Sequence, residues 1–162
     1  MTPDLHANTP MDRPSWMGVL ARAPVPRLAA LFPDIPAHSL LRAPEVGAIM
    51  LRGRIGGVGQ PFNLGEMTIT RCTLSVTTAG ADHAGAGNQS AVGHAYVQGR
   101  DRSHAIRAAA VDALMQTDQA QALHAAVLVP LAAEEAARKS VRASKAAATK
   151  VEFFTMLRGE DQ

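Results

Sequence analysis

Gln98-Gly99-Arg100-Asp101-Arg102-Ser103-His104-Ala105, running directly into Ile106–Met115, is the stretch on which the fold turns. Before it, Ala91–Val97 alternates small and larger residues, the period of a strand. After it, Ile106, Ala109, Ala110, Ala113 and Leu114 recur at helical spacing. A strand therefore passes into a helix through a short polar junction. Asp101 is the predicted N-cap, its carboxylate accepting from one of the first free helix N–H groups. Gly99 and Arg100 lie just outside that start, where unpaired N–H groups and the helix dipole attract an anion. The plainer alternative is a capping Asp101, solvated Arg100 and Arg102, and a local hydrogen bond at His104.

Upstream, Glu66–Thr78 is the strongest strand, with Met67, Ile69, Arg71, Thr73, Ser75 and Thr77 on one face and Thr68, Thr70, Cys72, Leu74, Val76 and Thr78 on the other. Val46–Ile55 reads as a strand, Gly56-Gly57-Val58-Gly59 reverses the chain, and Gln60–Leu64 begins the return. His38–Arg42 reads as extended and Pro44-Glu45 as a turn. Pro14–Ala23 and Pro26–Phe32 read as a helical hairpin, and residues 1–13 as a disordered lead-in. The Gly/Ala-rich residues 79–90 read as a flexible loop.

Downstream, Ser103–Gln116 and Ala120–Leu128 are predicted helices. An Ala/Glu/Lys/Arg segment follows Pro130, from Leu131 to about Lys150. Its apolar stripe is little more than Leu131 and Val141, so it is expected to run along a partner or project into solvent. The expected fold is α+β: an N-terminal helical hairpin, an antiparallel sheet of three to four strands, and C-terminal helices on one face with an extended tail at 151–162. Residues 14–162 form one domain in this reading.

Composition narrows the function classes. In 162 residues, 47% are apolar but 4% aromatic, so Ala, Leu and Val must fill the core. Small side chains bury little area each, and such a core gains from a partner. A net charge of +2 without a Lys/Arg block argues against nucleic-acid binding. One cysteine, Cys72, excludes an internal disulfide and a Cys-based metal site; on a strand it reads as a small buried residue. The N-terminal residues lack a signal-peptide apolar run, and no apolar window spans a membrane, so a cytoplasmic protein is expected.

Four groups carry candidate chemistry. Arg52, Arg54, Gly56, Gly57 and Gly59, with Arg71 further on, combine backbone that can approach an anion with guanidinium groups that pair with phosphate. No Walker or dinucleotide fingerprint is present, and a plain glycine hairpin turn is the alternative. Glu66 and Arg71 differ in parity, so a direct same-face pair is not expected and surface charge is the simpler role. His38, His94, His104 and His124 lack zinc spacing, although His94, Tyr96 and His104 could converge on a proton. Phe153 and Phe154, with Met156 and Leu157, form an apolar tail suited to docking or to folding back.

Gln98-Gly99-Arg100-Asp101, His104-Ala105 and Asp112-Ala113-Leu114-Met115 resemble the PhnG family, a small subunit of the bacterial carbon–phosphorus lyase system. So do Arg54-Ile55-Gly56-Gly57-Val58-Gly59 with Phe62, Gly65-Glu66 and Thr70-Arg71, the ending Val151–Gly159, and Trp16-Met17 with Leu20-Ala21. The resemblance runs from Trp16 to the C-terminus in one order. Val58 departs from it, standing where the family more usually has threonine.

The resemblance implies a subunit that supports transfer of an alkylphosphonate to ribose C1 of ATP, with release of adenine. Partners of the PhnI, PhnH, PhnJ and PhnK types are implied, with PhnL acting functionally. PhnI carries the nucleosidase chemistry, so this chain needs no catalytic residue and assists from outside. It is expected to bind no cofactor or metal of its own, ATP being the substrate of the complex. The residues expected to touch triphosphate or phosphonate are Arg54, Gly56, Gly57, Gly59, Arg71, Arg100 and His104. Phe153, Phe154, Met156 and Leu157 are expected at a partner interface. The alternatives are a purely structural assembly subunit and a free-standing nucleotide binder.

Overall fold

Two long strands joined by a glycine turn carry the fold. β1 (His38–Arg54) pairs antiparallel with β2 (Pro61–Thr78), and β3 (Gln89–Gln98) pairs with the other side of β2, in the order β1-β2-β3. The computed structural model describes residues 11–78 and 89–151. The expected lead-in up to residue 10, nearly all of the 79–90 loop, and Phe153, Phe154, Met156 and Leu157 lie outside the described residues.

β2 alternates as its sequence predicts. Thr70, Cys72, Leu74 and Val76 are buried, while Arg71 and Thr77 are exposed. The helices lie on the buried side, giving the expected α+β architecture. α3 (Arg102–Leu114) packs across β3 and β2, and α1 (Arg13–Arg22) sits beside β3. α2 (Val25–Leu31) closes the hairpin with α1 and buries Leu28. α1 is capped by Asp12, which accepts from the Ser15 N–H at 3.2 Å.

A core rich in small residues closes because backbones approach each other. α3 buries Ala105, Ala108, Ala109, Ala110 and Ala113, and opposite them stands Gly93 of β3. A Cβ at Gly93 would collide with the Ala109 carbonyl oxygen. Leu20, Leu28, Leu74, Leu128 and Leu131 fill the remaining volume.

Two boundaries differ from expectation for identifiable reasons. No turn forms at Pro44-Glu45: β1 runs on through them, and the surplus residues are absorbed in register offsets between Leu40 and Arg42 and between Arg42 and Glu45. Proline is tolerated because β1 is an edge strand, needing no N–H on its open side. β2 begins at Pro61, within the stretch expected to start the return, with a further offset near Leu64. Beyond Thr117, α4 (Ala120–Leu123) passes through a π-type stretch, His124–Leu128, straight into α5 (Val129–Ala148). Pro130 thus lies where the π-type stretch gives way to α5, and its missing N–H interrupts the backbone ladder at that junction.

Two parts of the chain leave the core. α5 buries Leu131 and Glu135, and everything from Ala136 to Ala148 is exposed. The β1–β2 hairpin likewise extends past the helices, and Ile49, Leu51 and Phe62 on it are exposed.

Candidate functional site

The junction before α3 is held by Asp101, Gly99 and Thr70. Asp101 caps as predicted, accepting from the His104 N–H at 2.8 Å and the Ser103 hydroxyl at 2.7 Å. Those two donors, the backbone one foremost, hold its carboxyl below the ordinary value. The Gly99 N–H donates to the Thr68 carbonyl at 2.9 Å, and the Thr70 hydroxyl donates to the Gly99 carbonyl at 2.8 Å. The first N–H groups of α3 thus already face a carboxylate, and an anion at exposed Arg100 would sit outside that cap.

His104 points the other way. It is 2% exposed, and its Nε2 lies 3.0 Å from the Leu20 carbonyl at the end of α1. A carbonyl only accepts, so Nε2 carries the proton and Nδ1 is a bare acceptor. Nδ1 is buried without a hydrogen-bond partner among the described residues. Burial, more than any other influence, pushes this imidazole below its ordinary pKa and keeps it neutral. His104 ties α1 to α3, and Arg100 faces solvent.

The glycine turn lies at the far tip of the hairpin. Gly56 and Gly57 adopt φ of +59° and +83°, which glycine takes without strain. The Gly59 N–H donates to the Ile55 carbonyl at 2.8 Å, and the Ile55 N–H to the Gln60 carbonyl at 3.2 Å. Arg54 donates from its guanidinium to the Gly59 carbonyl at 3.2 Å, stapling the turn. Val58, where a hydroxyl is missing, is 90% exposed at its apex.

Arg71 belongs to neither place. It lies mid-sheet on the uncovered face, bonded to Glu45 at 3.0 and 2.9 Å, and Tyr96 stands opposite it on β3. Its carboxylate partner is therefore Glu45 of the neighbouring strand rather than Glu66. His94 shares that open face, its Nδ1 3.1 Å from the Thr73 hydroxyl. Because His104 is buried among the helices, the possible convergence of His94, Tyr96 and His104 does not occur. Cys72 is buried as expected, and burial raises its pKa. No group of three or more His, Cys, Asp or Glu side chains among the described residues is placed to hold a metal ion.

The best-organised polar centre is one that periodicity did not single out for chemistry. Asp112, fully buried on α3, accepts from Arg13 at 3.1 and 2.7 Å, from the Trp16 indole at 2.9 Å and from the His94 backbone N–H at 2.9 Å. One carboxylate thereby fixes α1, α3 and the open edge of β3. Gln116 continues this edge closure, donating to the Val92 carbonyl at 2.8 Å. A lone acid in the Ala-rich run Ala108–Met115, one turn from Ala108 and Ala109, was the available signal. Glu135 plays the same part for α5: Arg22, at 2.7 Å, and Lys139, at 2.8 Å, bring its pKa down to about 2.

With this geometry in place, similarity to known proteins decides the family. Residues 11–159 match the family described as "Phosphonate metabolism protein PhnG". The chain belongs to the PhnG family. A relative from Rhizobium meliloti (strain 1021), named "Alpha-D-ribose 1-methylphosphonate 5-triphosphate synthase subunit PhnG", is 40% identical over 157 residues, covering 93% of this chain and 91% of that protein. The matched range takes in the glycine turn, the capped start of α3 and the Asp112 centre.

Between α1 and β3 this PhnG-family chain has a cavity of about 190 Å³, lined by Met17, Leu20, Tyr96, Val97 and Ala108 among others. It is mostly apolar and below the range of about 300–1,000 Å³ typical of small-molecule pockets. No helix among the described residues is long and apolar enough to cross a membrane.

Proposed function

We propose that this chain is a subunit of α-D-ribose 1-methylphosphonate 5-triphosphate synthase, acting within the complex rather than as a free enzyme. The observation that carries this reading is 40% identity to a protein named as that subunit, sustained over 93% of the chain. In the reaction, a phosphonate oxygen bonds to ribose C1 of ATP as the bond from C1 to adenine breaks, and adenine leaves with a proton. ATP is a substrate of the complex, and this chain holds no cofactor.

An auxiliary role fits the side-chain inventory. The buried polar side chains Asp112, Glu135 and His104 are engaged in holding helices together. The chain assists a PhnI-type subunit, alongside PhnH, PhnJ and PhnK types and with PhnL acting functionally, in the cytoplasm. Its contribution is either to shape the nucleotide pocket or to keep water from competing for the ribosyl centre. Arg54, with the turn of Gly56, Gly57 and Gly59, is one candidate contact to the triphosphate or phosphonate; Arg71 and Arg100 are others. His104 acts indirectly, by setting α3 against α1. The tail residues Phe153, Phe154, Met156 and Leu157 dock on a partner. A second reading, a purely structural subunit without ligand contact, is favoured by the dispersal of these residues over the hairpin tip, the mid-sheet and the start of α3.

The test is co-expression of the chain with the other subunits, followed by size exclusion, phosphorus NMR of the ribosyl phosphonate product and assay of released adenine. Arg54→Ala and Arg100→Ala are expected to leave assembly intact and slow transfer at least tenfold. Loss of activity only where the complex falls apart selects the structural reading. Phe153→Ala with Phe154→Ala is expected to abolish co-elution. A wild-type chain that ignores its PhnI-type partner overturns the assignment.

A further inference from the structure

The β1–β2 hairpin beyond the helix layer is two-faced, and both faces meet solvent. Ile49 stands opposite Met67, and Leu51 opposite Gly65. Phe62 lies over Gly53, its ring 3.3 Å from where a Cβ would be. These four apolar side chains form one continuous surface along the arm. On the other face Met50 faces Glu66 and Arg52 faces Asn63, so that side carries charge. Ile49 and Phe62 are each 42% exposed. A two-stranded hairpin is marginal alone in water, and an exposed apolar strip on one marks a surface that another molecule covers.

Charge identifies the kind of molecule. β1 carries Arg42, Arg52 and Arg54 against Glu45 alone. Glu45 is already engaged by Arg71 and Arg42. Arg52 has no carboxylate partner among the described residues, whereas Arg54 is engaged by the Gly59 carbonyl. Setting two copies of this chain edge to edge along β1 would bring cationic strand against cationic strand, which like-charge repulsion disfavours. A surface that offers carboxylates as well as an apolar trough reverses that sign. The loop between Thr78 and Gln89 cannot supply the cover. Ten residues tethered at both ends reach out about 17 Å, whereas Met67 lies eleven residues down β2 from Thr78, roughly 36 Å.

We propose that the β1–β2 arm is a docking element gripped by a different subunit of the synthase, which seats Ile49, Leu51, Phe62 and Met67 in an apolar trough and offers Asp and Glu side chains to Arg52 on the opposite face. This inference rests on the subunit reading above. It adds to that reading which surface of the chain makes the contact and what chemistry receives it.

The test compares wild type, Leu51→Asp, Ile49→Asp and Arg52→Glu, each co-expressed with the other synthase subunits and each purified alone. The isolated chains are expected to be monomeric by light scattering and to melt within about 2 °C of one another, since the arm adds nothing to the core. In the complex, all three variants are expected to bind at least tenfold more weakly and to drop out of the co-eluting peak. Variants that co-elute like wild type overturn the arm while leaving the subunit reading standing. A wild-type chain that joins no complex overturns both. An isolated dimer that Leu51→Asp dissociates identifies a second copy as the occupant, and a fall in melting temperature on Leu51→Asp identifies the chain's own terminal segments; either result rejects the proposal.

Discussion

Asp112 shows how much a single side chain can organise. Its oxygens are shared by Arg13, Trp16 and the His94 N–H, donors from α1 and β3. Asp112→Ala leaves a guanidinium, an indole and an amide facing an apolar gap, and about 3–5 kcal/mol of stability should be lost, read from urea unfolding. Gly93 acts through absence: Gly93→Ala puts a methyl group into the Ala109 carbonyl, and loss of a cooperative thermal transition is expected. His104 sets a pH dependence. Its pKa in the folded protein lies below the ordinary 6.5, so the unfolded chain takes up the proton first. Its stabilising contribution is complete above pH 6.5 and declines as pH falls from there towards the folded value. Melting temperature should therefore drop between pH 7.5 and 5.5 in wild type and stay flatter in His104→Gln, whose amide can still donate to Leu20. Of these three residues, periodicity placed Asp112 and His104 on a helix and Gly93 in a strand. It did not say what any of them touches, because their partners lie 96 and 99 residues away for Asp112 and 84 away for His104.

Among the elements, β2 and α3 were the most legible, since β2 alternates from Thr70 to Thr77 and α3 repeats alanine at helical spacing. β1 was the least. Its bulges offset the alternation, and Pro44 reads as a turn wherever strand pairing cannot be seen. α5 divides at Glu135. Its root is bolted by Arg22 to Glu135 at 2.7 Å and by Arg27 to Glu134 at 2.6 Å, whereas its outer turns from Ala136 to Ala148 are exposed. Amide hydrogen exchange should consequently be much faster beyond Glu135 than around Val111 of α3. Because the Glu135 pKa is lowered to about 2 from 4.5, its contribution is whole above pH 4.5 and vanishes as pH falls through 2. Glu135→Gln should melt about 2–4 °C below wild type at neutral pH, the shift that ~1 kcal/mol produces in a chain this size. The difference should close below pH 2.

The described residues form a single helix layer on one face of a three-stranded sheet, with nothing among them layered on the other face and two projections reaching outward. A core so dependent on alanine gains from assembly, and the melting temperature of the chain should rise on joining the synthase complex, as any binding to the folded state requires. The sequence by itself determined the α+β class, the strand-to-helix junction at Asp101, the burial of Cys72 and the family, because each is written in local periodicity, capping chemistry or motif order. Only the tertiary structure decided that His104 faces inward while Arg100 faces water, that Arg71 answers Glu45, that Asp112 joins two helices to a strand, and that the glycine turn ends a bare arm. Those facts depend on which face of the sheet the helices cover and on which residues far apart in the chain meet there, and neither is encoded within any short window of sequence.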